Sequence, residues 1–233
     1  MDTLIAGKST FKLQVPYKLI RSGEQGKKPL IVYFHGYGED ITEMEEKIEP
    51  LLSLDAYHLF IQGPYALQLN PKEKNRKGFS YYQYDSEDTY INSIEFTSEF
   101  IQEIIDHIIP IVEVSRITLV GYSMGAYLAG YWAFTRWKHA NDLLMINGRL
   151  KTEWFKSKIE DQDVLNHIQI VAFNGNSDTI VDPETQREMI NYCKEHKLNA
   201  QYHELNGGHE LTNEHLIQIK DWLLSLGYRN VVI

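Results

Sequence analysis

Five residues, GYSMG at positions 121–125, restrict the fold of this chain more than any other stretch of its sequence. They follow the apolar run ITLV, which is typical of a buried strand, and they precede a helical pattern at 126–137. A strand that turns directly into a helix bends so tightly that residues two before and two after its apex crowd neighbouring backbone. Gly121 and Gly125 lack a Cβ and meet that demand. The sequence therefore predicts a strand–turn–helix bend with Ser123 at its apex.

The remainder of the chain alternates short apolar runs, which predict strands, with stretches in which apolar residues recur at helical spacing. This alternation indicates one α/β domain over residues 1–233, with a mostly parallel central sheet flanked by helices on both faces. The first strand, with its apolar and polar residues in alternation, is expected to be antiparallel. The predicted strands are 11–20, 30–34, 57–61, 117–120, 143–146, 168–173 and 200–205, and the predicted helices are 89–109, 126–137, 184–196 and 212–226.

Three connections between these elements bear on function. Residues 70–77 are polar and predict a loop, and residues 79–84 predict either a short strand or a lid element. Residues 147–167 are expected to form a lid that covers part of the site. Asp182 directly precedes Pro183, a pair that favours the start of a helix.

Composition excludes several classes of function. Apolar residues at 43% and charged residues at 24% are typical of an ordinary folded protein. The net charge is −9 and the sequence has no basic cluster, which argues against nucleic-acid binding. The single cysteine, Cys193, excludes an internal disulfide and is interpreted as a packing residue. No apolar run is long enough to span a membrane and no signal-peptide pattern is present, so we expect a cytoplasmic protein.

Four loops directly follow predicted strands and carry the reactive side chains. They read HGYGED at 35–40, GYSMG at 121–125, NGNSD at 174–178 and NGGH at 206–209. In a mostly parallel sheet, ligands bind where the carboxyl ends of the strands meet. The sequence therefore predicts that a serine, an aspartate and a histidine lie at one edge of the sheet.

We predict that Ser123, Asp178 and His209 form a catalytic triad. A serine hydroxyl needs a base to take its proton, and His209 alone among the nine histidines directly follows the last strand, behind two glycines. An acid should then orient the imidazole. Asp178 is preferred because Asp182, its neighbour, is explained as a helix cap. An ordinary serine in a glycine-rich turn and an unrelated loop histidine are the alternatives.

Two backbone amides are predicted to stabilise an oxyanion, the negatively charged oxygen that develops during acyl transfer. One belongs to Met124, which follows the serine, and the other to Tyr37 in the loop after the LIVYF strand. Gly36 and Gly38 flank Tyr37 and permit an unusual turn, and His35 begins this supporting loop. An ordinary glycine turn is the alternative for Tyr37.

These motifs resemble those of the phospholipase/carboxylesterase family, the carboxylesterase and acyl-protein thioesterase branch of the α/β-hydrolase superfamily. Its HGxGxD-like, GxSxGG-like, GxxDxxVP-like and late GxxH motifs read HGYGED, GYSMGA, GNSDTIVDP and GGHE here, in the same order. The resemblance extends from about residue 29 to the C-terminus. It implies the α/β-hydrolase fold and serine-dependent hydrolysis of a small-molecule or acyl-group ester or thioester, without a metal or cofactor.

The chain departs from the family pattern at four places. Ala126 stands where a second glycine is frequent, Met124 where glutamine is common, and Asp182 is an additional acid. The segment 147–167 does not resemble the family sequence. These departures bear on which substrate is bound more than on the catalytic reaction. A peptidase or amidase on the same fold and a non-catalytic binding protein are the rival hypotheses, and a homodimer is left open.

Aromatic residues, 12% of the chain, cluster near the expected site. They either form an apolar acyl or aromatic pocket over Ser123 or fill the core beneath the lid. The residues concerned are Phe79, Tyr81, Tyr82 and Tyr84 before the long helix, and Trp154 and Phe155 in the expected lid.

Overall fold

The computed structural model describes residues 12–68, 77–136 and 138–231. Strands in these residues are β1 (Tyr17–Arg21), β2 (Lys28–Phe34), β3 (Tyr57–Ile61), β4 (Tyr65–Gln68), β5 (Lys77–Ser80), β6 (Val114–Tyr122), β7 (Asp142–Ile146), β8 (Gln169–Gly175) and β9 (Ala200–Leu205). Helices are α1 (Ile41–Lys47), α2 (Glu87–Ile108), α3 (Met124–Thr135), α4 (Lys156–Glu160), α5 (Gln162–Leu165), α6 (Pro183–Glu195) and α7 (Asn213–Ser225).

The described strands form a seven-stranded sheet in the order β1-β3-β2-β6-β7-β8-β9 and a separate hairpin of β4 and β5. In the large sheet, β1 is antiparallel to β3, and every other neighbouring pair is parallel. The predicted mostly parallel sheet is therefore confirmed. Parallel strands need crossover connections, and here those that link the strands of the central sheet contain helices.

Strand β2 shows why the apolar run LIVYF lies at the centre of the sheet. Leu30, Val32 and Phe34 point into one hydrophobic core, and Ile31 and Tyr33 point into the other. The first core also takes residues of α2, α3 and α6, and the second takes residues of α1 and α7. Helices thus cover both faces of the sheet, because successive side chains of a strand point to opposite faces.

The first strand is shorter than predicted. Residues 12–16 belong to no regular element, and β1 begins at Tyr17 instead of residue 11. Its ladder runs from the pair Tyr17 and Ile61 to the pair Arg21 and Tyr57. The Gln62 amide still donates to the Pro16 carbonyl at 3.1 Å, but Pro16 has no amide hydrogen with which to extend the ladder further.

The connections also differ in part from the expectations. Most of the loop predicted at 70–77 lies outside the described residues. The stretch 79–84 contributes only its first two residues to β5, which pairs with β4 in the hairpin. In the expected lid, a 3-10 turn at Thr152–Trp154 is followed by the short helices α4 and α5.

Candidate active site

The bend at Ser123 is present and its backbone is unusual. Ser123 joins β6 to α3 with φ 53° and ψ −116°, a conformation that side-chain-bearing residues rarely adopt. The Ser123 amide donates to the Ile146 carbonyl at 2.8 Å, which ties the bend to β7. Such strain costs about 1–3 kcal/mol and persists only where the surrounding structure holds it. The bend therefore presents the Ser123 hydroxyl at the carboxyl edge of the sheet.

The two glycines of the bend are required by close backbone contacts. A Cβ at Gly121 would overlap the backbone of Gly125 and Ala126. A Cβ at Gly125 would overlap the carbonyl groups of Phe34 and His35 on the neighbouring strand. Both obstacles are main-chain atoms, so no side-chain rotation relieves them. The first turn of helix α3 consequently packs directly against the main chain of the sheet.

Ser123, His209 and Asp178 form one hydrogen-bonded chain. His209 Nε2 lies 2.8 Å from Ser123 Oγ, and His209 Nδ1 lies 2.8 Å from Asp178 Oδ2. These residues follow β6, β8 and β9, so three separate strands deliver them to one point. With Nδ1 donating to the carboxylate, Nε2 is left free to accept the serine proton.

Asp178 is held on both of its carboxylate oxygens. While Oδ2 faces His209, Oδ1 accepts hydrogen bonds from the Ile180 and Val181 amides at 2.8 and 3.0 Å. The residue is 6% exposed. Asp182, in contrast, caps α6 by accepting from the Glu184 amide at 3.0 Å, as predicted for a residue before Pro183. The geometry thus places Asp178, and not Asp182, against the histidine.

Asn147 organises the site and was missed by the sequence analysis. Its Nδ2 donates to the His209 carbonyl at 2.8 Å, and its Oδ1 accepts from the Gly175 amide at 2.9 Å. The Tyr122 hydroxyl donates to the same His209 carbonyl at 2.6 Å. Asn147 is fully buried and has φ 47°. The available signal was its position directly after β7 at the edge where the other loops meet, but it was assigned to the lid.

The two amides predicted to stabilise the oxyanion belong to Met124 and Tyr37. Met124 is the first residue of α3, where backbone amides have no partner inside the helix. Neither the Met124 amide nor the Tyr37 amide donates a hydrogen bond to any group in the described ranges. Gly38 has φ +76°, so the turn after Tyr37 uses the conformation that glycine permits. The role of both amides toward an oxyanion stays a prediction.

His35 fixes the loop that carries Tyr37. Its Nε2 accepts hydrogen bonds from the Gly63 amide at 3.0 Å and from Gln62 Nε2 at 3.1 Å. An amide nitrogen can only donate, so the ring proton is on Nδ1, which donates to the Gly36 carbonyl at 2.7 Å. Burial lowers the pKa of His35 to about 4. This histidine is therefore neutral near pH 7 and supports the loop through its hydrogen bonds.

The hairpin supports the same loop from the other side. The Gly38 amide donates to the Phe79 carbonyl at 3.0 Å, and the Phe79 amide donates to the Glu39 carbonyl at 3.1 Å. The Met124 side chain is 4% exposed, and its sulfur accepts from Ser80 Oγ at 3.4 Å. Methionine at this position thus links the start of α3 to the hairpin.

A pocket of about 610 Å³ opens beside Ser123. Of the aromatic residues singled out in the sequence, Tyr82 and Tyr84 line it. Tyr81 and Phe155 are instead buried in the core, and Trp154 packs against Tyr90 behind the pocket wall at 5.4 Å between ring centroids. The other lining residues are Tyr37, Ser86, Glu87, Tyr90, Ser123, Met124, Tyr127, Lys151, Ile180 and Val181.

Cys193 is not part of this site. It is fully buried in α6, and burial raises the pKa of its thiol to about 12. A thiol that stays protonated is a poor nucleophile, which agrees with a packing role. No group of three or more metal-ligating side chains occurs in the described part of the chain. None of the helices in these ranges is both long enough and apolar enough to cross a membrane.

The fold and the serine, aspartate and histidine that follow β6, β8 and β9 define the α/β-hydrolase class. Within this class, the chain belongs to the phospholipase/carboxylesterase family, whose model matches residues 15–226. The resemblance drawn from the four motifs is thereby confirmed. No curated protein sequence matches the chain.

Solved structures share the fold at low sequence identity. A Bacillus cereus carboxylesterase superposes with a TM-score of 0.70 and 18% identity, covering 91% of this chain and 94% of the other. A Zea mays acyl-protein thioesterase 2 has a TM-score of 0.68 and 17% identity, covering 90% and 98%. A Mesorhizobium loti carboxylesterase has a TM-score of 0.68 and 16% identity, covering 90% and 94%.

Proposed function

We propose that this protein hydrolyses carboxylic esters or thioesters through an acyl-enzyme on Ser123. The observation that carries the proposal is the unbroken contact from Ser123 Oγ through the His209 imidazole to Asp178, at 2.8 Å for each step. Membership of the phospholipase/carboxylesterase family supports the same class of reaction.

The first half of the reaction transfers the acyl group to the enzyme. His209 Nε2 takes the proton of Ser123 as Oγ forms a bond to the substrate carbonyl carbon. The carbonyl oxygen becomes negatively charged and accepts hydrogen bonds from the Tyr37 and Met124 amides. The bond to the leaving alcohol or thiol then breaks, and the proton on His209 passes to that group.

The second half releases the acid. Water enters where the alcohol or thiol left, His209 takes a proton from it, and the resulting hydroxide attacks the acyl carbon. When the bond to Ser123 breaks, the proton returns to Oγ and the carboxylic acid leaves. Asp178 stabilises the imidazolium in both halves, because its carboxylate accepts a hydrogen bond from Nδ1–H throughout and stays ionised.

The test is hydrolysis of 4-nitrophenyl esters of increasing acyl length by the wild type and by Ser123→Ala. We expect wild-type turnover and a loss of kcat of about 10⁴-fold or more in the variant, as removal of a triad member causes. A fluorophosphonate probe should label the wild type but not the variant. A wild type that hydrolyses no ester or thioester and refuses the probe would favour a non-catalytic binding protein. Amide substrates test for a peptidase.

The remaining expectations from the sequence stay predictions. They are the single-domain organisation, the cytoplasmic location, the homodimer that was left open and the lid role of residues 147–167. Within that segment, Lys151 lines the pocket and Phe155 is buried in the core. We propose that the segment forms one wall of the pocket.

A further inference from the structure

Tyrosine is the most frequent residue in the described lining of the pocket beside Ser123. Five tyrosines contribute to the wall, whereas Met124, Ile180 and Val181 are the apolar non-aromatic side chains among its described lining. A flat ring offers its face and edge to another ring, an attraction that adds to the burial of area that an alkyl chain also gains. The tyrosines are Tyr37, Tyr82, Tyr84, Tyr90 and Tyr127.

Four of these rings contact one another and form a continuous surface. Tyr82 meets Tyr90 edge-on at 4.8 Å between ring centroids, and Tyr84 meets Tyr82 edge-on at 5.2 Å. Tyr84 also stacks on Tyr90 at 5.9 Å, and Tyr37 meets Tyr84 edge-on at 6.3 Å. These distances are those of attractive ring pairs. The wall is thus assembled before any ligand arrives.

Lys151 stiffens this wall from the expected lid. Its Nζ lies 4.6 Å from the centroid of the Tyr90 ring and 4.7 Å from that of the Trp154 ring. A cation over two rings holds both in place. Because Tyr90 is only 9% exposed and contacts the rings of Tyr82, Tyr84 and Trp154, its ring has little freedom to move aside for an alkyl chain.

Two of the rings remain exposed at the mouth of the pocket. Tyr37 is 53% exposed and Tyr84 is 61% exposed, although both line the pocket that contains Ser123. A tyrosine phenol is neutral at pH 7 and can donate a hydrogen bond. Exposed, neutral and rigid rings next to a nucleophile suit a ligand that presents a ring of its own.

We propose that the pocket binds the acyl group and selects esters of aromatic carboxylic acids over esters of alkyl acids. The inference rests on the proposed function. The proposal places the acyl group in the pocket, and this group stays bound through both halves of the reaction, whereas the alcohol leaves after the first. Binding energy from the rings is then available in both transition states.

The experiment compares methyl esters, in which the leaving group is constant and has no ring. We expect kcat/KM for methyl 3-phenylpropanoate, whose carbonyl is unconjugated like that of methyl octanoate, to exceed that for methyl octanoate by about tenfold, the ratio that one favourable ring contact supplies. Benzyl acetate against ethyl acetate places the ring on the alcohol, and there we expect a ratio within about twofold of unity.

The variant Tyr37→Leu/Tyr84→Leu removes the two exposed rings and, because both are exposed, should leave the protein folded. It should lower the ratio of methyl 3-phenylpropanoate to methyl octanoate by about tenfold, and Tyr84→Phe should retain it. Tyr17→Leu, on the exposed edge strand β1 at 43% exposure, is the matched control and should change neither ester.

Three outcomes would overturn the inference: a preference for methyl octanoate, a ratio that the double variant leaves unchanged, or a ring preference seen only with benzyl acetate. Each of these still requires ester hydrolysis. Failure of the proposed function is different, because then no ester of either kind would be hydrolysed.

Discussion

The Asn147 side-chain amide donates to the main-chain carbonyl of His209 at 2.8 Å and at the same time accepts from the Gly175 amide at 2.9 Å. It therefore joins the loop that carries the histidine to the end of β8, three residues before Asp178. The two loops also bond directly, since the Ser177 amide donates to the Gly207 carbonyl at 2.9 Å, and Asn147 adds a buried side-chain link between them.

We predict that Asn147→Ala lowers both activity and stability. The buried Gly175 amide would lose its acceptor, and alanine is less suited than asparagine to φ 47°, so the free energy of unfolding should fall by about 2–3 kcal/mol. The His209 loop would also lose a restraint, and kcat should fall by about tenfold or more. Urea unfolding and steady-state kinetics measure the two effects.

Asn141→Ala is the control for Asn147→Ala, since Asn141 lies at the opposite end of β7. Its Oδ1 accepts from the Ile117 amide at 2.7 Å, so its removal should cost stability as well. Because this bond is remote from Ser123, kcat should stay within about twofold of the wild type. Equal loss of kcat in both variants would show that Asn147 acts through stability alone.

We predict that Gly125→Ala destabilises the protein by about 3 kcal/mol or more, because the new Cβ would overlap main-chain carbonyl groups that cannot move aside. Gly130→Ala is the matched substitution in the same helix. There the new Cβ would approach the end of the Leu150 side chain at 2.8 Å, which can rotate. Alanine also favours the helix by about 1 kcal/mol, so the net change should be small. Thermal unfolding of both variants distinguishes them.

Stability should fall on acidification from about pH 6.5 to about pH 4. Burial lowers the pKa of His35 and of His58 from 6.5 to about 4. In that window the unfolded chain binds protons that the folded chain does not, so the free energy of unfolding decreases as the pH falls. Each residue contributes a loss of about 3 kcal/mol across the window.

His58→Gln tests this origin of the acid sensitivity. A glutamine can replace both hydrogen bonds of His58, from the Tyr33 hydroxyl at 3.0 Å and to the Leu54 carbonyl at 3.3 Å, without a titrating group. The difference in unfolding free energy between pH 7 and pH 4.5 should shrink in this variant, and the exposed His139→Gln should leave it unchanged. An unaltered pH slope in His58→Gln would contradict the assignment.

Much of the site was predictable because each signal is short in sequence. Gly121 and Gly125 mark a bend whose steric demands arise within five residues. His209 was found because a parallel sheet gathers the ends of its strands at one edge, a rule of topology that needs no coordinates. The role of Asp182 as a helix cap was predictable, because a cap before proline is a local feature of the sequence.

What escaped prediction depends on contacts between distant segments. Asn147 bridges the ends of two loops, and the residues around it in the sequence give no sign of a hydrogen-bond partner more than sixty residues later along the chain. The register of β1 depends on its pairing with β3, a strand that lies outside the sequence of β1. For the aromatic cluster, Tyr81 is buried and Tyr82 lines the pocket, although the two are adjacent in the sequence.

The sequence by itself determined the α/β class, the bend at Ser123 and the order of the serine, aspartate and histidine, because apolar periodicity and glycine sterics act locally. Only the tertiary structure decided the separations among those residues, the role of Asn147 and which tyrosines face Ser123. The physical reason is that a hydrogen bond or a ring contact requires agreement within tenths of an ångström between segments that only the packed sheet brings together.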